Sequence, residues 1–137
     1  MRSFALLILL TACTSSEPGS PTDNWYQTVI EVPRNANEVV KAVAALPECS
    51  AVLAGGEIRW RSAVSCGSVP FARGCTYIGR KPVLIEVVYA PDAWEAPDMW
   101  TLAHELCHVC GYTDGPDAEA QADACAMRAH RWWLDHQ

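Results

Sequence analysis

Two histidines and a glutamate stand together late in this 137-residue chain: His104, Glu105 and His108. Histidines at positions i and i+4 lie about 40° apart around a helix, so both imidazoles reach one ion. Glu105 lies beside the pair, placed to hold a water on that ion and take its proton. With His104 set at 0°, Leu102, Val109 and Leu106 fall at about 160°, 140° and 200°. One face is thus left for a core and the opposite face for an ion. The chain has four histidines, and a shuffled sequence would show this spacing with an expectation of roughly 0.008. Imidazoles in this arrangement suit Zn2+, which also needs a third protein ligand and an open position for water.

Two downstream carboxylates compete to be that ligand. Asp114 follows His108 at a short interval, across Gly111. Glu119 and Asp123 are i and i+4 on a second helix that begins near Pro116, where proline suits the first turn and Asp117 the positive helix end. In an antiparallel hairpin turning near residues 113 and 114, His108 faces Glu119 and His104 faces Asp123. One carboxylate then ligates the ion and the other accepts the N–H of a ligating histidine, fixing its tautomer. On the wheel, Glu119 and Asp123 fall among Ala122, Ala126, Met127, Trp133 and Leu134. Acids on an apolar face are costly to bury unless paired or bound to a metal. Glu119 is therefore the favoured third ligand and Asp114 the alternative. Tyr112, just beyond the first helix, is a candidate donor to the oxyanion of a tetrahedral intermediate. His130 lies 11 residues past Glu119, roughly 16 Å along the axis, too far to ligate. Trp94, Trp100, Trp132 and Trp133 read as core or rim aromatics.

Residues 101–125 (TLAHELCHVCGYTDGPDAEAQADAC) resemble the active-site helices of zincin metallopeptidases. The E-x-x-x-D after H-E-x-x-H is similar to the gluzincin arrangement, and the chain's size is similar to that of the smallest gluzincins. The resemblance implies His104, His108 and Glu119 as zinc ligands, Glu105 as general base and acid, and Asp123 as the support of a ligand. It also implies that the strand before the site helix is an edge strand that pairs with an extended peptide or protein substrate. Pro82 to Tyr89 stands where that strand should be. The interval from His108 to Glu119 is shorter than in thermolysin-like members, and cysteines at 107 and 110 are unusual. The Asp114 alternative resembles the metzincin pattern with its last histidine replaced. That pattern also wants a methionine turn, and Met127 looks helical.

Other elements must position these residues. Asn24 to Val32 is rich in aromatic and β-branched residues and reads as a strand ended by Pro33. Asn35 or Asn37 caps a helix to about Leu46, with Val39, Val40, Val43 and Leu46 on one face, stopped by Pro47. Gly55-Gly56 is a turn, and Glu57 to Arg61 alternates like a half-buried strand. Cys75 to Ile78 forms a further short strand, and Pro82 to Tyr89 is the strongest strand signal. Asp98 caps a helix from Met99 to Cys110, and Gly111 stops it. The expectation is an α+β domain: a small antiparallel or mixed sheet, an N-terminal helix and a C-terminal active-site helix hairpin.

The chain opens with one positive charge, then an apolar run from Phe4 to Leu10, then Thr11-Ala12-Cys13. This is the layout of a secretory signal, and Leu10 to Cys13 resembles the bacterial lipobox, in which the cysteine is lipidated. Residues 14–23 have no hydrophobic side chain and read as a tether. The organisation expected is a lipoprotein signal over 1–12, a tether over 13–23 and a domain over 24–137. Attachment would be by lipid at Cys13, on the bacterial cell envelope. Six cysteines remain for disulfides in an oxidising compartment: Cys49, Cys66, Cys75, Cys107, Cys110 and Cys125. Cys66 and Cys75 bracket a turn-rich stretch and are a favoured pair. Cys107 and Cys110 brace the hairpin, although its register places Cys125 nearer residue 102. A thiolate metal site using Cys107, Cys110 and Cys125 is the rival. Net charge is −6 with 10 basic residues, scattered without a run, which argues against a nucleic-acid surface. The leading expectation is zinc-dependent peptide hydrolysis. The alternatives are an envelope lipoprotein whose zinc only pins two helices, and a zinc amidase acting on cell-wall material.

Overall fold

The computed structural model describes residues 24–28, 35–88, 97–113 and 115–137, with side chains from Met99 onward in the third stretch. The signal and tether, Cys13, Trp94 and Asp114 lie outside the described residues. Among the described residues, six strands and three α-helices make a mixed α+β domain, as the sequence pattern implies. The strands are β1 (Trp25–Thr28), β2 (Gly56–Arg61), β3 (Val64–Cys66), β4 (Val69–Ala72), β5 (Gly74–Tyr77) and β6 (Val83–Val88). The helices are α1 (Ala36–Ala44), α2 (Pro97–Val109) and α3 (Ala118–Asp135), with a 3-10 segment over Pro47–Ala54.

The main sheet runs β1-β2-β6-β5. The first three strands are parallel, and β5 closes one end antiparallel to β6. Alternation along β2 decides which face is covered. Ile58 and Trp60 are buried and sit level with Ile85 and Val87 of β6. Above them lie Val39, Val40 and Val43 of α1 and Leu102 and Leu106 of α2. The three helices pack on one another, and α2 lies over β5 and β6. The intervening residues carry charge onto the opposite face. There Arg59 pairs with Glu57, Arg61 with Glu86, and the Tyr77 hydroxyl donates to Glu86. No helix among the described residues is long and apolar enough to cross a membrane.

Four features depart from expectation. The Pro82–Tyr89 segment is expected as the substrate-pairing edge, but its described part, Val83–Val88, is β6 and is paired on both sides. Its near-continuous apolar run is what a strand buried within a sheet requires. The terminal strand beside the site is β5 instead. The stretch between Cys66 and Cys75, expected as turns, is largely the β3–β4 hairpin. The segment after α1 becomes a 3-10 helix with Pro47 in its first turn, fixed where the Trp25 indole N–H donates to the Val52 carbonyl at 2.8 Å. Asp98 lies inside α2 rather than capping it, since Pro97 already has helical backbone and fits a first turn.

Three disulfides join these parts: Cys66–Cys75, Cys49–Cys110 and Cys107–Cys125. The first is the favoured pair and ties the β3–β4 hairpin to β5. The third overrides the simple hairpin register, because α2 and α3 approach through different faces at different levels. The side chains of Cys107 and Cys125 bridge Cα atoms 6.0 Å apart. The sulfurs of Cys49, Cys110 and Cys125 cluster, but all six cysteines are paired, so those of the rival site are held in disulfides. The Cys49–Cys110 bridge spans 61 residues and restricts the unfolded chain by about 4 kcal/mol in the loop-entropy estimate. The sulfur of Cys49 also lies 3.9 Å from that of Cys125, so a lone thiol left there would exchange. Replacing Cys49 and Cys110 together by alanine should lower unfolding free energy by about 2–4 kcal/mol. Denaturant titration, with the other two bridges confirmed by mass mapping, checks this.

Candidate metal centre

Helix α2 sorts its side chains by period. Met99, Leu102, Ala103, Leu106 and Cys107 are buried in the core, while Thr101, His104 and His108 lie half-buried along a cleft. That cleft has a volume of about 1150 Å³ and is bounded by Gly74, Thr76, Ile78 and Met127, among others. His104, Glu105 and His108 form a group able to hold a metal ion, with one donor atom of each within 4.8 Å of the others. The two Nε2 atoms are 3.1 Å apart.

The facing helix supplies the carboxylates at the expected positions. Glu119 reaches both rings, with Oε2 at 3.0 Å from Nε2 of His104 and Oε1 at 3.1 Å from Nε2 of His108. Asp123 Oδ1 lies 2.7 Å from Nδ1 of His104. Both acids are largely exposed, at 76% and 71%. The expectation that they share the apolar face is corrected here. The buried stripe of α3 is Ala118, Ala122, Cys125, Ala126 and Ala129, and the acids ride its margin at the cleft. Met127 lies within α3 and lines the cleft, so it makes no methionine turn.

Hydrogen bonding places a proton on the same nitrogen, Nδ1, of both rings. A main-chain carbonyl only accepts, so His108 donates its Nδ1–H to the Tyr112 carbonyl at 2.6 Å. An ionised carboxylate only accepts, so His104 donates its Nδ1–H to Asp123. The two Nε2 atoms face each other and the Glu119 carboxylate, a grouping of metal-ligating atom types. Zinc–ligand bonds of about 2.0–2.1 Å in a tetrahedron give ligand edges of roughly 3.3 Å, close to the 3.0 and 3.1 Å found between Glu119 and the two rings.

Glu105 is held apart from this triad. It is only 7% exposed, and its Oε1 accepts from the Thr76 hydroxyl of β5 at 2.5 Å. The same hydroxyl lies 3.1 Å from the Glu105 carbonyl oxygen. Burial pushes the Glu105 carboxyl above the usual carboxylate range, with the Thr76 bond and the neighbouring histidines pulling the other way. Thr76 escaped the sequence pattern, since a threonine in a strand carries no distinguishing signal.

No protein family, curated protein or solved structure matches. The site therefore stands on its geometry. Tyr112 is the one candidate that geometry redirects: its hydroxyl donates to Glu48 Oε2 at 3.1 Å, so it is not offered to an oxyanion in the cleft. Its carbonyl serves the site instead, through His108. His130 packs edge-on against Trp100, with ring centroids 4.8 Å apart, and stacks on Trp133. Trp100, Trp132 and Trp133 are partly buried against the core, as rim aromatics should be.

Gly74 sets how closely α2 approaches the sheet. A Cβ there would stand 2.7 Å from Cγ2 of Thr101 and 2.9 Å from Cγ of Glu105. Gly74→Ala should therefore destabilise the fold by about 1–3 kcal/mol, as overpacking does. Gly79→Ala, where a Cβ meets nothing within 4 Å, should be close to neutral. Paired denaturant titrations of the two variants check the contrast.

Proposed function

We propose that this protein is a zinc-dependent peptidase, exported and held to the bacterial envelope by lipid on Cys13. The observation that carries the activity is the meeting of Nε2 of His104, Nε2 of His108 and the Glu119 carboxylate beside a buried Glu105. Zinc held by those three residues would polarise a carbonyl as a Lewis acid and make a water acidic. Glu105 would take a proton from a water whose oxygen attacks the carbonyl carbon, and would pass it to the amide nitrogen as the C–N bond breaks, leaving a carboxylic acid and an amine. Thr76 holds Glu105 by one oxygen and leaves the other for this transfer. Asp123 keeps His104 in its Nδ1–H form, so that Nε2 faces the ion.

The sheet supports a peptide as substrate. The Val88 amide donates to the Arg73 carbonyl at 2.9 Å. Antiparallel pairing alternates along the ladder, so the main-chain groups of Gly74 and Thr76 point away from β6. β5 is the terminal strand, and Gly74, Thr76 and Ile78 line the cleft beside Glu105. An extended peptide added to that edge passes the site. Export is supported by the signal-like N-terminus and the three disulfides.

Glu105→Gln should leave zinc bound and lower peptide cleavage by at least 100-fold, as loss of a general base does. Zinc per chain by elemental analysis and cleavage of a peptide library check it; a fully active variant sinks the mechanism. Glu119→Ala should lower zinc affinity much more than Asp114→Ala, measured by competition with a chromophoric chelator. Equal retention in both would remove Glu119 as the third ligand. If zinc binds with a fourth protein ligand and no peptide or cell-wall amide is cleaved, the ion is structural.

A further inference from the structure

The zinc reading uses Tyr112 only through its carbonyl, yet its side chain is the hub of a separate cluster. The Tyr112 hydroxyl donates to Glu48 Oε2 at 3.1 Å, and Arg128 Nη2 lies 3.3 Å from the same hydroxyl. Arg128 Nη1 pairs with Glu48 Oε2 at 2.5 Å. Glu48 belongs to the 3-10 segment and Arg128 to α3, so the cluster joins three parts of the chain around the loop that follows α2. The neighbouring residue, Cys49, is bonded to Cys110 of that loop. Hydrogen bonds from Glu48's own main chain, Arg128 and Tyr112 hold its carboxyl below the usual range.

That loop needs such fixing. Gly111 has φ +122°, in the region that favours glycine. Among the described residues of the loop, the main-chain bonds are Cys110 N–H to the Cys107 carbonyl at 3.0 Å, Gly111 N–H to the His108 carbonyl at 3.1 Å and Thr113 N–H to the Gly111 carbonyl at 2.9 Å. Gly111 and Thr113 are exposed. The direction of the Tyr112 carbonyl therefore depends on where its side chain is tied. If that carbonyl turns away, His108 loses the acceptor that keeps its proton on Nδ1. The proton is then free to sit on Nε2, where it removes the lone pair that faces the triad.

We infer that Glu48 and Arg128, through the Tyr112 hydroxyl, are positioning residues that select the Nδ1–H form of His108 and so prepare its Nε2 for the ion. The inference rests on the metal-site reading for its consequence, but the selection of the tautomer operates in the metal-free chain. Residues that orient a ligating histidine typically govern metal affinity by about 10–100-fold. The cluster does so from outside the cleft, with no side chain of its own near the ion.

The test uses Glu48→Gln and Tyr112→Phe in the disulfide-bonded chain, with Glu38→Gln on exposed α1 surface as control. Imidazole proton–nitrogen correlation spectra of the metal-free proteins, recorded across a pH series, read the tautomer directly. Wild type and Glu38→Gln should show His108 as Nδ1–H alone, and the other two variants a mixture with Nε2–H. Zinc affinity, by chelator competition, should fall about 10-fold or more in the same two variants. His108 remaining purely Nδ1–H in both overturns the inference, whatever happens to zinc. Failure of wild type to bind zinc overturns the functional reading and leaves the tautomer spectra to decide this one. Tyr112→Phe keeps the ring's packing and so answers even if Glu48→Gln folds poorly.

Discussion

Two imidazoles and a carboxylate meet about 3 Å apart at one point between two helices. His104, His108 and Glu119 make that meeting, with both Nδ1 atoms bonded elsewhere. It lasts only while α3 stays close against α2. The rest of the fold acts to keep it there. The Cys107–Cys125 bridge locks the two helices, and the Asp123 bond to His104 adds a second tie on the same side. The Glu48–Arg128 pair holds α3 from behind, against the 3-10 segment. The structure therefore concentrates its cross-links and ion pairs on holding that one arrangement.

The helical period keeps these tasks apart on α2. With His104 at 0° and His108 at about 40°, Glu105 falls at about 100°, Cys107 at 300° and Cys110 at 240°. Glu105 thus points to the flank where β5 and Thr76 lie, and the cysteines to the other, where α3 and the 3-10 segment lie. The front is left for the ion. Cysteines within and beside the motif looked anomalous in the sequence. Their angles show that they brace the helix from the side away from the base. A thiolate at either position would not share the imidazole face.

The motif, the carboxylate pair and the hairpin were legible because each depends on spacing within one or two helices. His108 meets Glu119 and His104 meets Asp123, as an antiparallel turn near residue 113 requires. The parts that escaped depend on pairing between distant segments. The apolar run of Val83–Val88 looks the same whether a strand is internal or at an edge, and only the placement of β5 decides it. Pairing Cys107 with Cys125 depends on how two helices cross, which residue offsets alone misjudge. Thr76 and Glu48 act from 29 and 64 residues away, on Glu105 and Tyr112. Tyr112 was recognised as a residue near the site, but its use was reversed, because a tyrosine's sequence position does not say which of its oxygens faces inward.

Size explains why so much of this stiffness is covalent or ionic. A domain of this length buries a smaller share of its surface than a large one, and its helices here share a single cluster with one sheet face. The opposite face is given to charge pairs and a short hairpin, so few apolar side chains are left to hold α3 in place. The buried stripe of α3 is four alanines and a cysteine, which allows close approach but buries little area per residue. Small residues bring the carboxylates near the imidazoles, and disulfides replace the packing energy that larger residues would have supplied. Bulkier side chains on that stripe would enlarge the core and push Glu119 out of reach of both rings. Alanine there is therefore as much a part of the site's geometry as the acids that flank it.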